Sequence, residues 1–191
     1  MKFLIITKKQ IMLCLCLVVA LAVVIVGAAG VFAGSDKLLP IYCVETDKKQ
    51  IAISFDAAWG NDDTEQLIKI LKEYDVPATF FVVGAWVDKY PESVKALSDA
   101  GHQIQNHSNT HPHMPQLSKE QMRDEIESCN KKIEKITGTC PTLLRPPYGD
   151  YDNALIEVMN EFKMSTIQWD VDTIDIKVMT NEYHCAIMSI V

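Results

Sequence analysis

His102-Gln103-Ile104-Gln105-Asn106-His107-Ser108-Asn109-Thr110-His111 carries two signals in ten residues. The first half alternates apolar and polar positions, as a short half-buried strand does. The second half places two imidazoles four residues apart, where the strand ends and a loop begins. Such a pair meets one metal ion if the backbone between them makes a single helical turn or a comparably tight loop. Imidazole is the commonest metal ligand and suits zinc and similar ions. Ser108 stands where the His-Glu-x-x-His metalloprotease pattern needs a glutamate, which excludes that class. Two solvated histidines on a loop, with His113 just beyond, are the plain alternative.

Working outward, strands and helices alternate. Residues 51–55 are an apolar run of strand length ending at Asp56, and Asp62-Asp63-Thr64 opens a helical pattern. Pro77 restarts the chain into a second buried strand over 78–84. A helix over 90–100, with Pro91 and Glu92 in its first turn, stops at Gly101 and leads into the histidine-bearing strand. Ser118 with Gln121 forms a capping box for a long amphipathic helix ending at Gly138. A short strand over 142–144 runs into Arg145-Pro146-Pro147-Tyr148-Gly149, a helix covers 151–162, and a fifth strand over 165–169 ends at Asp170. Continuous apolar strands alternating with helices predict a parallel sheet buried between helices. Asp56, His107, Arg145 and Asp170 all fall at strand C-terminal ends, where α/β enzymes build their sites.

The chain has 191 residues, 48% hydrophobic and 23% charged, which is one ordinary domain plus an appendage. A net charge of −7, with no basic run longer than the pairs Lys8-Lys9, Lys48-Lys49 and Lys131-Lys132, argues against a nucleic-acid partner. Residues 11–33 run without a charge behind Lys2, Lys8 and Lys9. That length fits a membrane-spanning anchor with the remainder outside the cytoplasm. Val31-Phe32-Ala33 offers a signal-peptide cleavage site as the alternative, and either way the globular part is exported. The organisation expected is a cytoplasmic stub and anchor over 1–34, a linker over 35–48 and a catalytic domain over 49–191. Six cysteines include no Cys-x-x-Cys, excluding a zinc ribbon or thioredoxin motif. Cys129 and Cys140 are the nearest pair in the domain, and their pairing is not favoured.

Taken together, four stretches resemble the polysaccharide deacetylase family, the NodB-homology domain. Ser54-Phe55-Asp56 with Ala57-Ala58-Trp59-Gly60 resembles its first motif, His107 to His111 matches the second, and Arg145 to Gly149 matches the third. Asp170-Val171-Asp172-Thr173-Ile174-Asp175 looks like the fourth. The Phe55 to Gly60 variant is similar to the sporulation-associated cell-wall subgroup. The resemblance implies a distorted (β/α) barrel that removes N-acetyl groups from cell-wall glycan, peptidoglycan before chitin-like polymers. It implies a divalent metal, zinc first and cobalt or similar next, on His107 and His111. Asp56 becomes the general base and Arg145 the cation that orients it and keeps it charged. The Tyr148 backbone N–H becomes an oxyanion donor, and Asp175 the partner of a catalytic histidine. Plain roles compete with these: Asp56 as a helix cap, Arg145 as a surface ion pair, the aspartates from Asp170 to Asp175 as a solvated loop. Trp59 and Trp169 read as packing residues ahead of sugar platforms.

The pattern departs from the family in three places. Ala57 stands where the family has a metal-binding aspartate, leaving two histidines where zinc usually has three protein ligands; Asp62 or Asp63 is the candidate third. Ile176 stands in place of a tryptophan. Residues 176–191 do not resemble the family's last motif, an apolar strand ending in histidine, and His184 precedes its apolar run instead of following it. The expectation is a domain incomplete at its C-terminus, with an open sheet edge and uncovered apolar surface. Besides the deacetylase, two further classes stand: a non-catalytic glycan-binding remnant, and a membrane-tethered partner-binding protein. Oligomeric state is not legible.

Overall fold

The computed structural model describes residues 8–9, 12–13, 15–21, 36–47, 50–172 and 183–190, the last eight by their backbone. The chain divides into two units, Met1–Lys37 and Leu38–Val191. In the first, the described residues between 8 and 21 are helical and exposed. Among the described residues no helix is long and apolar enough to cross a membrane; most of the charge-free run over 11–33 lies outside them.

The second unit is built on β1 (Gln50–Ala57), β2 (Thr79–Val82), β3 (Gln103–Asn106), β4 (Leu143–Leu144) and β5 (Ser165–Thr166), all parallel and in chain order across the sheet. Helices α1 (Thr64–Glu73), α2 (Gly84–Lys89), α3 (Pro91–Asp99), α4 (Lys119–Thr137) and α5 (Asn153–Glu161) fill the crossovers. Each new strand adds on the same side of the last. With right-handed crossovers this keeps the helices on one face, the winding of a barrel and not of a doubly wound sheet.

Strand alternation then sorts the side chains. Phe55, Ala57, Phe80, Val82 and Ile104 join Trp86, Val94, Leu97, Cys129 and Ile133 in one apolar core beneath the helices. A second cluster of Met114, Met122, Ile126, Leu144, Leu155, Val158 and Met159 lies under α4 and α5. The intervening positions, Ser54, Asp56, Phe81 and Gln105, take the opposite face. The polar site therefore grows from the period of two that builds the core.

The helix punctuation follows the sequence where capping chemistry is strong. Both halves of the Ser118–Gln121 capping box form, and Gly138 ends α4 in the left-handed region at φ 72°. The single helix expected over 90–100 is preceded by a separate short helix, α2, which Tyr90 ends by leaving helical geometry ahead of Pro91. A residue before proline is disfavoured in the helical region, which explains the break.

Both flanks of the parallel sheet are paired. Ile41 runs beside Ile167, donating to the Thr166 carbonyl and accepting from the Gln168 amide. On the other side, β7 (Tyr183–Ile190) pairs antiparallel with all eight residues of β1, and β6 (Val171–Asp172) pairs with β7. The expectation of an open sheet edge is thus corrected for β1, which β7 pairs along its whole length. An apolar run of strand length has been placed against a row of backbone groups that needed partners.

Candidate active site

Asp56, at the end of β1, is buried and paired with Arg145, and Asp63 is the residue that precedes α1, so the plain reading of Asp56 as a helix cap does not hold. Arg145 follows β4 and is fully buried, which removes the surface ion-pair reading. Its Nη1 donates to Asp56 Oδ1 at 2.7 Å and its Nη2 to Ser54 Oγ at 2.7 Å. The guanidinium lies over the Phe81 ring at 4.2 Å, and Trp169 stands 5.7 Å away. Arg145 is therefore held by charge, hydrogen bond and ring face together, and Asp56 is held by Arg145.

His107 leaves β3 beside this pair. Its Nδ1 lies 2.7 Å from the Arg145 carbonyl oxygen, which can only accept, so Nδ1 carries the proton and the lone pair is at Nε2. Nε2 is 3.8 Å from Asp56 Oδ2, beyond hydrogen-bond length. The second carboxylate oxygen and the imidazole lone pair thus border one small space.

His111 is brought back by a tight loop and not by a helical turn. Ser108 (φ 68°) and His111 (φ 62°) both take the left-handed conformation, costly for residues with a Cβ. Hydrogen bonds hold it: Ser108 N–H donates to Asn106 Oδ1 at 2.6 Å and His111 N–H to Ser108 Oγ at 3.0 Å. The rings of His107 and His111 sit edge to face with centroids 5.0 Å apart. Burial pushes the His111 imidazole down to about 4, with the neighbouring His107 adding to the effect. It is neutral at pH 7, the form that binds metals. Its Nδ1 is buried and meets no hydrogen-bond partner among the described residues.

Tyr148 sits in a one-turn 3-10 helix, Pro147–Gly149, at φ 60°. The two turn hydrogen bonds run from the Gly149 and Asp150 amides to the Pro146 and Pro147 carbonyls, so neither uses the Tyr148 N–H. The Tyr148 ring meets His111 at 4.7 Å and stacks on His113 at 4.0 Å, and His113 Nδ1 is paired with Asp150. Gln168 donates to the Gly149 carbonyl at 2.7 Å and braces the turn from β5.

Residues 44–167 match the family model for polysaccharide deacetylase. The chain belongs to the polysaccharide deacetylase family. It is 35% identical over 144 residues to the peptidoglycan-N-acetylmuramic acid deacetylase PdaA of Bacillus subtilis, covering 75% of this chain and 55% of that protein. To the Bacillus subtilis deacetylase PdaC it is 39% identical over 134 residues, covering 70% and 28%. Among solved structures, a CE4 family pseudoenzyme from Bacillus anthracis aligns with a TM-score of 0.71 at 38% identity, covering 74% of this chain and 50% of that one. A mutant of that pseudoenzyme with restored enzymatic activity aligns at 0.71 and 39%, covering 74% and 52%. The chain spans about half or less of the length of these relatives, and its curled half-barrel is the fold they share.

Several family positions behave differently in this polysaccharide deacetylase chain. Ala57 is fully buried within the apolar core and supplies no ligand. Asp62 and Asp63 do not replace it: among the described residues no three His, Cys, Asp or Glu gather as a metal-holding group. Trp59, read as a packing residue, is 65% exposed and stands 5.6 Å from the His111 ring. Asp175, Ile176 and the side chain of His184 lie outside what is described, and Asp170 is exposed. Cys129 is buried and Cys140 exposed, both as free thiols, and burial pushes the Cys129 thiol up to about 12. The bond of Ser54 to Arg145, the brace from Gln168 and the Asn106–Asn130 pair escaped the sequence reading.

Proposed function

We propose that this chain hydrolyses N-acetyl groups from cell-wall glycan of the peptidoglycan type, using a divalent metal, zinc first, held by His107 and His111. The observation that carries the reading is the convergence of a buried, Arg145-anchored Asp56 with two imidazoles, one of them with a buried nitrogen that meets no partner among the described residues. Two nitrogen donors beside a carboxylate suit zinc or cobalt, with fewer protein ligands than a tight site has. A cation there supplies Lewis acidity toward an acetamide carbonyl and toward water.

The remaining work falls to side chains of this domain. Arg145 fixes Oδ1 of Asp56, and Oδ2 takes the proton of the attacking water. That proton is the one the departing amine requires as the C–N bond breaks. The Tyr148 N–H, turned out of the 3-10 hydrogen bonds, meets the oxygen on which negative charge develops. Asp175 is the position the resemblance pairs with a catalytic histidine, and residues 176–191 carry no matching histidine motif for it to orient. The charge-free run over 11–33 supports a stub and anchor over 1–34 and a linker over 35–48, with the domain over 49–191 acting outside the cytoplasm; cleavage after residue 33 would release it. The Phe55 to Gly60 variant supports membership of the sporulation-associated subgroup.

A second reading, a glycan-binding remnant, is favoured by Ala57 and by the likeness to a pseudoenzyme. Acetate release from N-acetylated peptidoglycan separates the two, and zinc titration of the metal-free chain tests the site itself. Saturable binding lost in both His107→Ala and His111→Ala supports the site; equal uptake by wild type and both variants refutes it.

A further inference from the structure

The loop that carries His111 is not held by β3 alone. Helix α4 lies along it and meets it at four points. Glu125 Oε2 accepts from the Asn109 and Thr110 amides, each at 2.8 Å, and Glu125 Oε1 accepts from Thr110 Oγ1 at 2.7 Å. Asn106 Nδ2 donates to the Ile126 carbonyl at 2.9 Å and to Asn130 Oδ1 at 2.7 Å. Lys132 reaches Asn109 Oδ1 at 2.7 Å and Asp88 at 2.6 Å. Among these contacts Glu125 alone binds backbone amides between the two histidines.

That position matters because the loop is strained. Two left-handed non-glycine residues, Ser108 and His111, bracket Asn109 and Thr110. Each costs on the order of 1 kcal/mol or more and persists only where surrounding bonds over-determine it. Two amides pointing at one carboxylate oxygen provide that, because charge-assisted hydrogen bonds are about twice as strong as neutral ones. With the Glu125 bonds gone, the loop keeps the Gly84 and Ala85 amides on the Ser108 and Asn109 carbonyls, at 2.9 Å each, and Lys132 on Asn109 Oδ1, but among the described bonds none then holds Thr110, the residue next to His111.

We propose that Glu125 is a positioning residue that sets the separation of the His107 and His111 rings, and through it the affinity of the pair for a divalent cation. The cation is the one named under the proposed function, so the affinity half rests on that reading; the ring separation does not. The test uses the full chain and cobalt(II) alone as probe, with Glu125→Ala and Glu125→Gln compared to wild type. Glutamine keeps an oxygen for both amides, so it preserves most of the clamp. The expected result is cobalt affinity weakened about 10-fold or more in Glu125→Ala, the range for removing an outer partner of a ligand. Glu125→Gln should stay within about threefold of wild type, with melting temperatures of all three close together. Crystal structures of the metal-free proteins should show the 5.0 Å ring separation kept in Glu125→Gln and lost in Glu125→Ala. If wild type binds no cobalt, the metal reading fails, and the ring separation still decides the role of Glu125. Unchanged separation in Glu125→Ala, or unchanged affinity in a wild type that does bind, overturns the proposal.

Discussion

The site has two halves built to different standards. On the proton side, Asp56, Arg145, Ser54 and His107 are all buried, and Arg145 is anchored by Asp56, by Ser54 and, through its carbonyl, by His107. On the ligand side, His111 is half-buried on a left-handed loop with a nitrogen that meets no partner among the described residues, Trp59 is exposed, and Ala57 offers no carboxylate. A firmly anchored carboxylate beside an imidazole pair that lacks a third ligand separates two things that family membership runs together. Orientation of the base is a property of packing and survives the loss of a ligand. Affinity for a metal is a property of the ligand count and does not.

The largest effect should come from breaking the proton side. Arg145→Ala leaves a buried carboxylate without its cation, and loss of about 3–5 kcal/mol is expected in urea unfolding. A loss under about 1 kcal/mol would mean that Asp56 is reached by water, and the contrast between the halves would collapse. Next is the attempt to furnish the ligand side. Ala57→Asp places a carboxylate at a fully buried position and should cost about 2 kcal/mol in metal-free protein. Zinc should recover part of that loss if the new group reaches the imidazoles, because a ligand bound only to the folded state stabilises it. Destabilisation that zinc leaves untouched would show that position 57 faces only the core.

The smallest effect is electrostatic. The folded-state pKa of His111 is lowered to about 4, so between roughly pH 6.5 and 4 the unfolded chain binds a proton that the folded chain refuses. Its contribution is complete above pH 6.5 and is lost as pH falls toward 4. The size is on the order of 1 kcal/mol or less once solvent screening is allowed for. In chelator-treated protein, His111→Asn should flatten the stability–pH curve across that window; an unchanged slope would assign it to other groups.

How much of this was legible in the sequence follows the range of the interactions. The Ser118 capping box, Gly138 and the apolar strands are local, and residues a few positions apart announce them. Asp56, His107 and Arg145 were legible because a parallel sheet in chain order sets all strand ends at one edge. The Glu125 clamp was not, because a glutamate on an amphipathic helix looks like any solvated one until the loop arrives, 15 residues away in sequence. Nor was the partner of β1: an apolar run over 186–191 says that it must be covered, not by what. Trp59 was misread for the opposite reason, since a large aromatic residue beside a strand usually packs, and this one faces outward near His111.

The most direct test of the central claim is acetate release from N-acetylated peptidoglycan by the folded full chain, with and without added zinc, compared with Asp56→Asn. The account predicts release that depends on zinc, and an Asp56→Asn variant that retains zinc but releases no acetate. No release from the folded, zinc-loaded wild type, or an unchanged rate in Asp56→Asn, would contradict it.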